Sequence, residues 1–498
     1  MRIMQKFRVF MASVIAGTML FQAASIMPVQ EADAASVCTI DTNKTYQIIK
    51  GFGGINLREW TGSDLTSAQV QKAFGNGDDE LGLSILRIYV NDNSSQWNLA
   101  VSVAKQAQAL GATVFASPWN PPESMRVSGG SNGKYMVDKS KYADYAKHLN
   151  DFVKYMEGQG VDLYSVSVQN EPDYAHDWTY WSASDCASFI ADYGKAVTAG
   201  TNAKLMSPES FQYRKDIYNA ILNNSKAFEN CDLFGTHFYG TQRSQMDFPA
   251  LENCGKDIWM TEVYVPDSTS DADTYPQAVQ VAENIHNGLT VGNMNAYVWW
   301  YIRRSYSPMK ENGNISKRGY CMAQYSKWVR PGDVRIEATE QPDSNILVSA
   351  YKHSPTQIQI VAVNKGAVMF HSSFPLMEEL LPVLTATEHL QPKILHQQRI
   401  WIMILQHSGH SCRQTAFQHL LSHCRATELK FRKIRISQLQ TNRMKTDIIS
   451  MIHLREIQIT GQAEEALRYR QAAEFPMPAQ RHFSYRTVKK HGTVLRKH

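Results

Sequence analysis

The 498-residue sequence has no long apolar run beyond Ile26, which excludes a polytopic membrane protein. It has only seven cysteines, and none of them forms a CxxC or another metal-ligand pair. We therefore assign no metal site and leave disulfide pairing open. The hydrophobic share of 43% and the aromatic share of 10% are too high for a disordered chain. At this length the sequence predicts two or three folded domains.

Glycine and aspartate become scarce after Phe370. The segment 371–498 contains 3 of the 28 glycines and a single aspartate, Asp447, but 11 of the 16 histidines. It carries 19 Lys and Arg against 9 Asp and Glu, a net charge of +10, whereas the segment 1–370 carries −5. This contrast indicates that residues 371–498 form an anomalous basic tail that was not shaped by the same folding constraints as the body.

The segment 1–34 has the pattern of a secretory signal peptide. Arg2, Lys6 and Arg8 form a basic start, Val9–Ile26 is largely apolar, and Ala32–Ala34 supplies the small-x-small cleavage pattern. We expect an exported protein with no membrane segment after cleavage. An uncleaved membrane anchor is the alternative, although polar residues interrupt the apolar stretch and a cleavage pattern follows it.

Eight short apolar runs between residues 51 and 330 alternate with longer helical patterns such as residues 141–157. This rhythm predicts an α/β fold, a (β/α)8 barrel of the TIM type, with an open doubly wound sheet as the alternative. The runs are Gly51–Gly54, Ile85–Val90, Thr113–Pro118, Tyr164–Val168, Lys204–Ser207, Leu233–Thr236, Ile258–Thr261 and Ala296–Tyr301. Residues 35–50 and 331–370 have strand patterns, and we expect them to pair into a side β-sandwich, incomplete at its carboxyl end.

Polar or aromatic residues follow nearly every predicted strand, and in a barrel these strand ends share one face. Two of them are glutamates, Glu171 after the fourth run and Glu262 after the seventh. Glycosidic cleavage needs one carboxyl to protonate the leaving oxygen and a second one to attack the sugar or to activate water. The pair therefore predicts a glycoside hydrolase. For either glutamate alone, a structural salt bridge or a helix N-cap contact is the alternative reading.

Several segments in this order resemble glycoside hydrolase family 30, in its bacterial glucuronoxylanase branch. The resemblance covers about residues 36–365. The matching segments are Gly51–Gly54, Phe115–Pro122, Ser167–His176 with its Asn-Glu-Pro, Gly235–Gly240, Thr261–Tyr264 and Trp299–Tyr306.

The resemblance implies a retaining endo-1,4-β-xylanase that acts on glucuronoxylan without a cofactor. Glu171 would be the acid/base and Glu262 the nucleophile, with carboxyl groups about 5 Å apart. Asn170 would bind the 2-hydroxyl of the sugar at the cleavage point. His237 and Tyr239 would position the nucleophile.

The remaining substrate contacts implied by the resemblance are aromatic side chains and one cation. Trp119 and Trp299 would line the cleft, where indole faces suit sugar rings, or else belong to the barrel core. Arg304 would bind the carboxylate of the 4-O-methylglucuronate side chain through paired hydrogen bonds, with Tyr264 and Tyr306 as hydroxyl partners. A structural surface cation is the alternative for Arg304, and we expect a structural ion pair for Arg303.

The resemblance stops near residues 366–375, and we interpret the basic tail as the product of a frameshift there. A basic arm for nucleic acid or for an anionic cell wall is one alternative. A metal site is another, and its ligands would be His407, His410, His419 and His423. No carboxylate or thiolate pattern completes that set, so we expect no metal there. We also expect no nucleic-acid partner.

Two other functions remain open for the body. One is another retaining β-glycosidase of the same family, for which Arg304 would have no obvious role. The other is a catalytically impaired xylan-binding protein, although both glutamates and Asn170 are in place. We expect a monomer.

Overall fold

The computed structural model describes residues 36–366 apart from 131, 267–269 and 275–276, and the backbone of four later strands at 372–373, 376–377, 398–405 and 415–421. Contacts divide the chain into two units, Met1–Ile457 and Gln458–His498, and the second lies wholly outside the described residues. The predicted signal peptide also lies outside them, and so do His407, His410 and His423. Of the fourth histidine that we considered as a metal ligand, His419, only the backbone is described.

A closed barrel of eight parallel strands forms the body of the protein, as the sequence predicts. Each strand pairs with the next one along the chain and β8 closes onto β1, which excludes the open doubly wound sheet. The strands are β1 (Gly51–Ile55), β2 (Ile85–Tyr89), β3 (Thr113–Ser117), β4 (Leu163–Ser167), β5 (Lys204–Ser210), β6 (Leu233–His237), β7 (Asp257–Glu262) and β8 (Ala296–Tyr301).

Alternation along the strands separates two apolar layers. Side chains that point inward fill the barrel, and they include Ile85, Phe115, Trp259 and Val298. The intervening residues point outward and pack under the helices, which together form the main core of the described residues. Two neighbouring residues of one barrel strand therefore have different surroundings, one inside the barrel and one beneath a helix.

The helices follow the apolar periodicity of the sequence. The longest, Tyr142–Gly158, coincides with the predicted one and buries Tyr145, Leu149 and Phe152. The other α-helices are Arg58–Thr61, Ser67–Phe74, Val101–Ala109, Ala183–Val197, Lys215–Leu222, Ser225–Asn230, Arg243–Met246, Pro249–Glu252, Val279–Thr290 and Lys317–Ser326. Single-turn or short 3-10 helices lie at Ser94–Ala100, Glu123–Met125 and Lys139–Lys141. Among the described residues, no helix has the length and the apolar character needed to cross a bilayer.

A side sheet joins strands from before and after the barrel, as we expected. Ile40–Ile48 pairs antiparallel with Val334–Ala338, which pairs with Ile346–Ser354, followed by Gln357–Asn364. The backbone of Gln398–Leu405, Thr415–Leu421 and Leu376–Met377 extends this sheet to seven strands. Two smaller sheets complete the described strands. They are Ser36–Val37 with Ser372–Ser373, and Arg126–Ser128 with Gly133–Val137 and Ala175–Thr179.

Barrel closure at β1 requires a glycine at position 53. A Cβ atom built there would lie 2.0 Å from the backbone oxygen of Ile85 on the neighbouring strand. Backbone cannot move aside as a flexible side chain would, so we expect Gly53→Ala to destabilise the protein by about 3 kcal/mol. Urea unfolding followed by circular dichroism measures this loss.

Gly158→Ala is the matched control, because a Cβ at this helical position meets nothing within 4 Å. We expect it to be neutral or to stabilise by up to about 1 kcal/mol. Equal unfolding midpoints for the two variants would contradict the close approach of β1 and β2.

Candidate active site

Glu171 and Glu262 meet at the carboxyl end of the barrel. Glu171 follows β4 and Glu262 ends β7. Their side chains are buried, with exposed fractions of 3% and 5% for the two residues. A carboxylate oxygen of each and a ring nitrogen of His237 all lie within 4.8 Å of one another.

Irregular backbone aims these side chains into the barrel mouth. Glu171 has a φ of 45°, and its N–H donates to the carbonyl oxygen of Glu209 at 3.1 Å. The pairing of β7 with β6 skips Thr261, so that Glu262 lies opposite His237. The pairing of β5 with β6 skips Glu209 in the same way, and Glu209 has a φ of 54°. Such bulges re-aim side chains beside active sites, and positive φ is costly for residues other than glycine.

Arg87 connects the charged groups at the centre of the mouth. Its side chain extends from β2 and is fully buried. Its Nη1 pairs with Glu262, its Nη2 donates to Asn170 Oδ1 at 2.6 Å and to Glu209 Oε1 at 3.0 Å, and its Nε donates to Ser117 Oγ at 3.0 Å. A buried guanidinium that neutralises two carboxylates in this way fixes the position of both.

Burial raises the pKa of Glu171 to about 7, an effect that the nearby charge of Glu262 reinforces and a hydrogen bond from His237 opposes. Glu209 has the opposite behaviour. Burial would raise its pKa, but the charges of Arg87 and His237 outweigh burial and lower the pKa to about 2. Below about pH 7 two glutamates of the same site are therefore held in different protonation states, the arrangement that acid catalysis beside a carboxylate requires.

Two predicted positioning residues take different partners. The Tyr239 hydroxyl donates to Glu262 Oε1 at 2.9 Å, the contact expected for a residue that positions the nucleophile. Our expectation for His237 was wrong in this respect, because its Nδ1 contacts Glu171 Oε1 at 2.9 Å. The histidine ends β6, next to the strand that carries Glu262, but its ring nitrogen reaches Glu171, so its direct hydrogen-bond partner is Glu171 rather than Glu262.

An aromatic cluster lines the mouth beside the carboxylates. Trp119 is only 1% exposed, so it supports this cluster from beneath rather than offering its own ring face to the cleft. It packs on Trp60 with ring centroids 5.3 Å apart, on Tyr89 at 5.3 Å and on Trp300 at 6.0 Å. Trp60 is 45% exposed, and its ring thus offers an apolar face to the cleft. The prediction for Trp299 was wrong: this residue is fully buried in the main core, because β8 directs it outward and directs Trp300 toward the mouth.

The chain is similar to known xylanases over most of its described length. Glucuronoxylanase XynC of Bacillus subtilis (strain 168) is 50% identical over 349 residues, which cover 69% of this chain and 81% of that protein. A family 30 endoxylanase from Clostridium papyrosolvens C71 matches with a TM-score of 0.65 and 34% identity, over 78% of this chain and 97% of its own.

A glycoside hydrolase family 30 subfamily 8 xylanase from Clostridium acetobutylicum matches with a TM-score of 0.62 and 34% identity, over 70% and 88% of the two chains. No protein-family profile matches the chain. The chain belongs to glycoside hydrolase family 30.

In this family 30 hydrolase the predicted uronate contacts lie together at one side of the mouth. The side chain of Arg304 is 27% exposed, stacks over the Tyr301 ring at 4.9 Å and approaches Glu311 Oε1 at 3.4 Å. Tyr264 lies between Tyr239 and Tyr306, at centroid distances of 5.4 and 5.2 Å.

Arg303 has a structural environment. It donates to Gln69 Oε1 at 2.8 Å, to Ser63 Oγ at 2.6 Å and to the carbonyl oxygen of Asp64 at 3.1 Å. Its place in the loop after β8 is thus fixed mainly by neutral acceptors, and the ion pair that we expected is present as a long contact, with Glu311 Oε2 3.9 Å from its Nε.

The sequence alone did not single out Arg87 or Glu209 as site residues of this hydrolase. A fully buried strand such as Ile85–Tyr89 contains one charged residue, and a charge in an otherwise apolar strand is the signal that could have found Arg87. The aromatic contacts of Trp60 and Trp300 have no comparable signal, because they depend on loop geometry and on strand direction.

We expect Arg87→Met to destabilise this hydrolase by about 3–5 kcal/mol, because Glu209 and Glu262 would be left as buried, uncompensated charges. Urea unfolding at pH 7 measures the effect. Arg214→Met is the control, since the Arg214–Asp216 pair is more than half exposed on both sides, and its loss should cost less than about 1 kcal/mol. A loss at Arg87 no larger than that at Arg214 would contradict the role of Arg87 in neutralising the site.

Proposed function

We propose that this chain is an exported, monomeric, retaining endo-1,4-β-xylanase that hydrolyses glucuronoxylan and is positioned by the 4-O-methylglucuronate side chain. One observation carries the catalytic part of the proposal. A glutamate whose pKa is raised to about 7 lies within 4.8 Å of a second glutamate that is held by a guanidinium and a tyrosine hydroxyl.

The separation of the two carboxyl groups favours double displacement. Inverting enzymes need about 6.5–9.5 Å between the groups to admit a water molecule, whereas retaining enzymes need about 5 Å. Glu262 attacks the anomeric carbon while protonated Glu171 gives its proton to the leaving oxygen. In the second step Glu171, now ionised, takes a proton from water, and this water displaces Glu262 from the sugar.

Asn170 has the arrangement expected for binding the 2-hydroxyl at the cleavage point. Its Oδ1 accepts from Arg87 at 2.6 Å, which fixes the amide, and its Nδ2 has no hydrogen-bond partner among the described residues. A buried donor without a partner is costly, and a sugar hydroxyl that accepts from it relieves this cost in the bound state.

Arg304 supports the preference for uronate-bearing xylan. Its side chain is partly exposed, and its Glu311 contact is long at 3.4 Å. A partly exposed guanidinium over the Tyr301 ring can present paired, planar donors to a carboxylate. A neutral β-glucoside would leave this cation without a counter-charge, which argues against the other β-glycosidases considered above.

Export and the origin of the tail complete the proposal. The basic start, apolar stretch and small-x-small pattern of residues 1–34 support cleavage before Ala35. The loss of glycine and aspartate after Phe370 supports a frameshift near residues 366–375. Resequencing the gene across these codons tests the idea, and an intact reading frame in several independent clones would remove it.

The first experiment compares the products that the full chain releases from glucuronoxylan and from unsubstituted xylan. We expect acidic oligosaccharides that each carry one methylglucuronate, and little release from the plain polymer, measured by mass spectrometry. Equal release from both polymers would remove the uronate preference. No release from either would favour an impaired xylan-binding protein.

Replacing Glu262 with alanine should abolish turnover, and Glu171→Ala should lose at least about 100-fold in kcat on glucuronoxylan. Sodium azide should restore turnover of an activated aryl glycoside by Glu171→Ala and give a β-glycosyl azide. Azide products of inverted configuration would contradict double displacement.

In the unmodified enzyme, kcat/KM should fall as pH rises through about 7, because Glu171 must be protonated to act as the acid.

Substitution of Arg304 separates uronate recognition from catalysis. We expect Arg304→Ala to lower kcat/KM on glucuronoxylan by about 10–100-fold, the value of a charge-assisted pair. Arg304→Lys keeps the charge without the planar fork and should recover only part of this loss. The rate on unsubstituted xylan serves as the control and should stay within about twofold of the parent rate. A loss of equal size on both polymers would show that Arg304 is structural.

A further inference from the structure

The carboxylate of Glu209 has no part in the double displacement, although it is buried at the centre of the site. It has no exposed surface, and neither have Arg87 and His237. Its Oε1 lies 3.0 Å from Arg87 Nη2 and 3.8 Å from His237 Nε2. The other ring nitrogen of His237, Nδ1, lies 2.9 Å from Glu171 Oε1. The imidazole therefore lies between two carboxyl groups, that of Glu209 and that of Glu171, the proposed acid/base.

The protonation of His237 decides where the catalytic proton of Glu171 can reside. If Nδ1 carries a proton, it donates to Oε1 of Glu171, and the carboxyl proton must then lie on Oε2. If Nδ1 is bare, it accepts the carboxyl proton from Oε1, and this proton points at the histidine instead of the leaving oxygen. Only the first arrangement leaves Glu171 ready to act as an acid.

Glu209 acts on this choice through the opposite side of the ring. A bare Nε2 would present its lone pair to an ionised carboxylate 3.8 Å away, whereas an N–H at Nε2 is attracted to it. A neutral imidazole has one proton and cannot satisfy both neighbours. An imidazolium has two, one for Glu171 and one for the side that faces Glu209.

We propose that Glu209 is a positioning residue that keeps His237 doubly protonated, so that the Nδ1–H of His237 directs the proton of Glu171 toward the leaving oxygen. This inference rests on the proposed function, because it assigns the acid role to Glu171. The step itself moves one proton, from Glu171 Oε2 to the leaving oxygen, as the glycosidic bond breaks and Glu262 bonds to the anomeric carbon.

The charges around His237 support the imidazolium. Three carboxyl groups face it: Glu171 from the end of β4, Glu209 from β5 and Glu262 from β7. Arg87 from β2 is paired with Glu209 and Glu262, and the Tyr239 ring lies 6.2 Å from the imidazole ring. Burial alone would lower the pKa of His237, but the three carboxylates outweigh burial and raise it to about 9. With Glu171 protonated, two anions then balance two cations in a site that excludes water.

Glu209→Gln tests the proposal, because glutamine keeps the shape and removes the charge. Without this charge the imidazolium is less favoured, and Glu171 also ionises more readily. Both changes move the alkaline limb of kcat/KM on glucuronoxylan to lower pH, by about one unit. An unchanged alkaline limb would overturn the proposal.

Two substrates with different leaving groups distinguish this positioning role from a merely structural one. Proton donation is needed for a sugar leaving group but not for dinitrophenolate, and kcat/KM reports only the steps up to glycosylation. We expect Glu209→Gln to lower kcat/KM at pH 7 by roughly tenfold on glucuronoxylan. On the dinitrophenyl glycoside of a methylglucuronate-substituted xylo-oligosaccharide the change should stay within twofold. Equal losses on both substrates would show that Glu209 only maintains the fold.

Glu340→Gln is the matched control. Glu340 also lies between a buried histidine and an arginine, with His286 Nε2 at 3.1 Å from its Oε1 and Arg243 Nη2 at 2.5 Å, but it follows a strand of the side sheet. This variant should leave the pH profile unchanged. A shift of equal size in Glu340→Gln would remove the link between the profile and the active site.

A measurement on the unmodified full chain keeps the test independent of how the variants fold. In protein labelled with 15N in its imidazole rings, the two His237 nitrogens should both have the shifts of N–H groups at pH 7. The two signals of His237 are identified as those that are missing from the spectrum of His237→Asn. A neutral His237 at pH 7 would overturn the inference even if the enzyme cleaves glucuronoxylan. Absence of cleavage by the unmodified chain would instead count against the proposed function.

Discussion

The buried guanidinium of Arg87 is the interaction on which the site depends. It makes hydrogen bonds or ion pairs with side chains from β3, β5 and β7 and with Asn170 after β4, and its plane also lies over the Trp119 ring at 4.9 Å. Removing two carboxylates from water is costly unless a charge and well-aligned donors compensate for it. The position of Arg87 therefore determines where the carboxylates of Glu209 and Glu262 lie.

The three glutamates of the mouth have the same side chain, and their different roles come from their different surroundings. Glu209 lies against Arg87 and remains ionised well below neutral pH. Glu171 is buried beside the charge of Glu262, and its pKa rises to about 7. The bulges in β5 and β7 and the positive φ of Glu171 and Glu209 produce these surroundings, since regular strands would aim the side chains elsewhere. The backbone strain at the mouth is offset by the packed barrel beneath it.

The alternation of apolar runs was sufficient to predict the eight strands, the barrel and the strand ends where Glu171 and Glu262 lie. It was insufficient to predict which way individual side chains point. Trp299 and Trp300 are adjacent and chemically identical, and only the pleat of β8 decides that Trp300 reaches the mouth. The partner of His237 was also beyond the sequence, because it depends on a one-residue shift between β6 and β7. The lone charge in a buried strand could have indicated Arg87 from the sequence, whereas no sequence feature indicated the bulge that directs Glu209 toward it.

The second cluster of a glutamate, an arginine and a histidine in this protein shows why composition alone does not define such a site. His286 is as buried as His237 and also contacts a carboxylate, Glu340, yet its pKa is lowered, by burial first and by the charges of Arg243 and Arg335 in addition. His237 faces three carboxylates, and its pKa is raised. The sign of the shift follows the number of anions that converge on the ring. In a parallel barrel the ends of neighbouring strands bring such anions to one point, whereas an antiparallel side sheet spreads them along its edge.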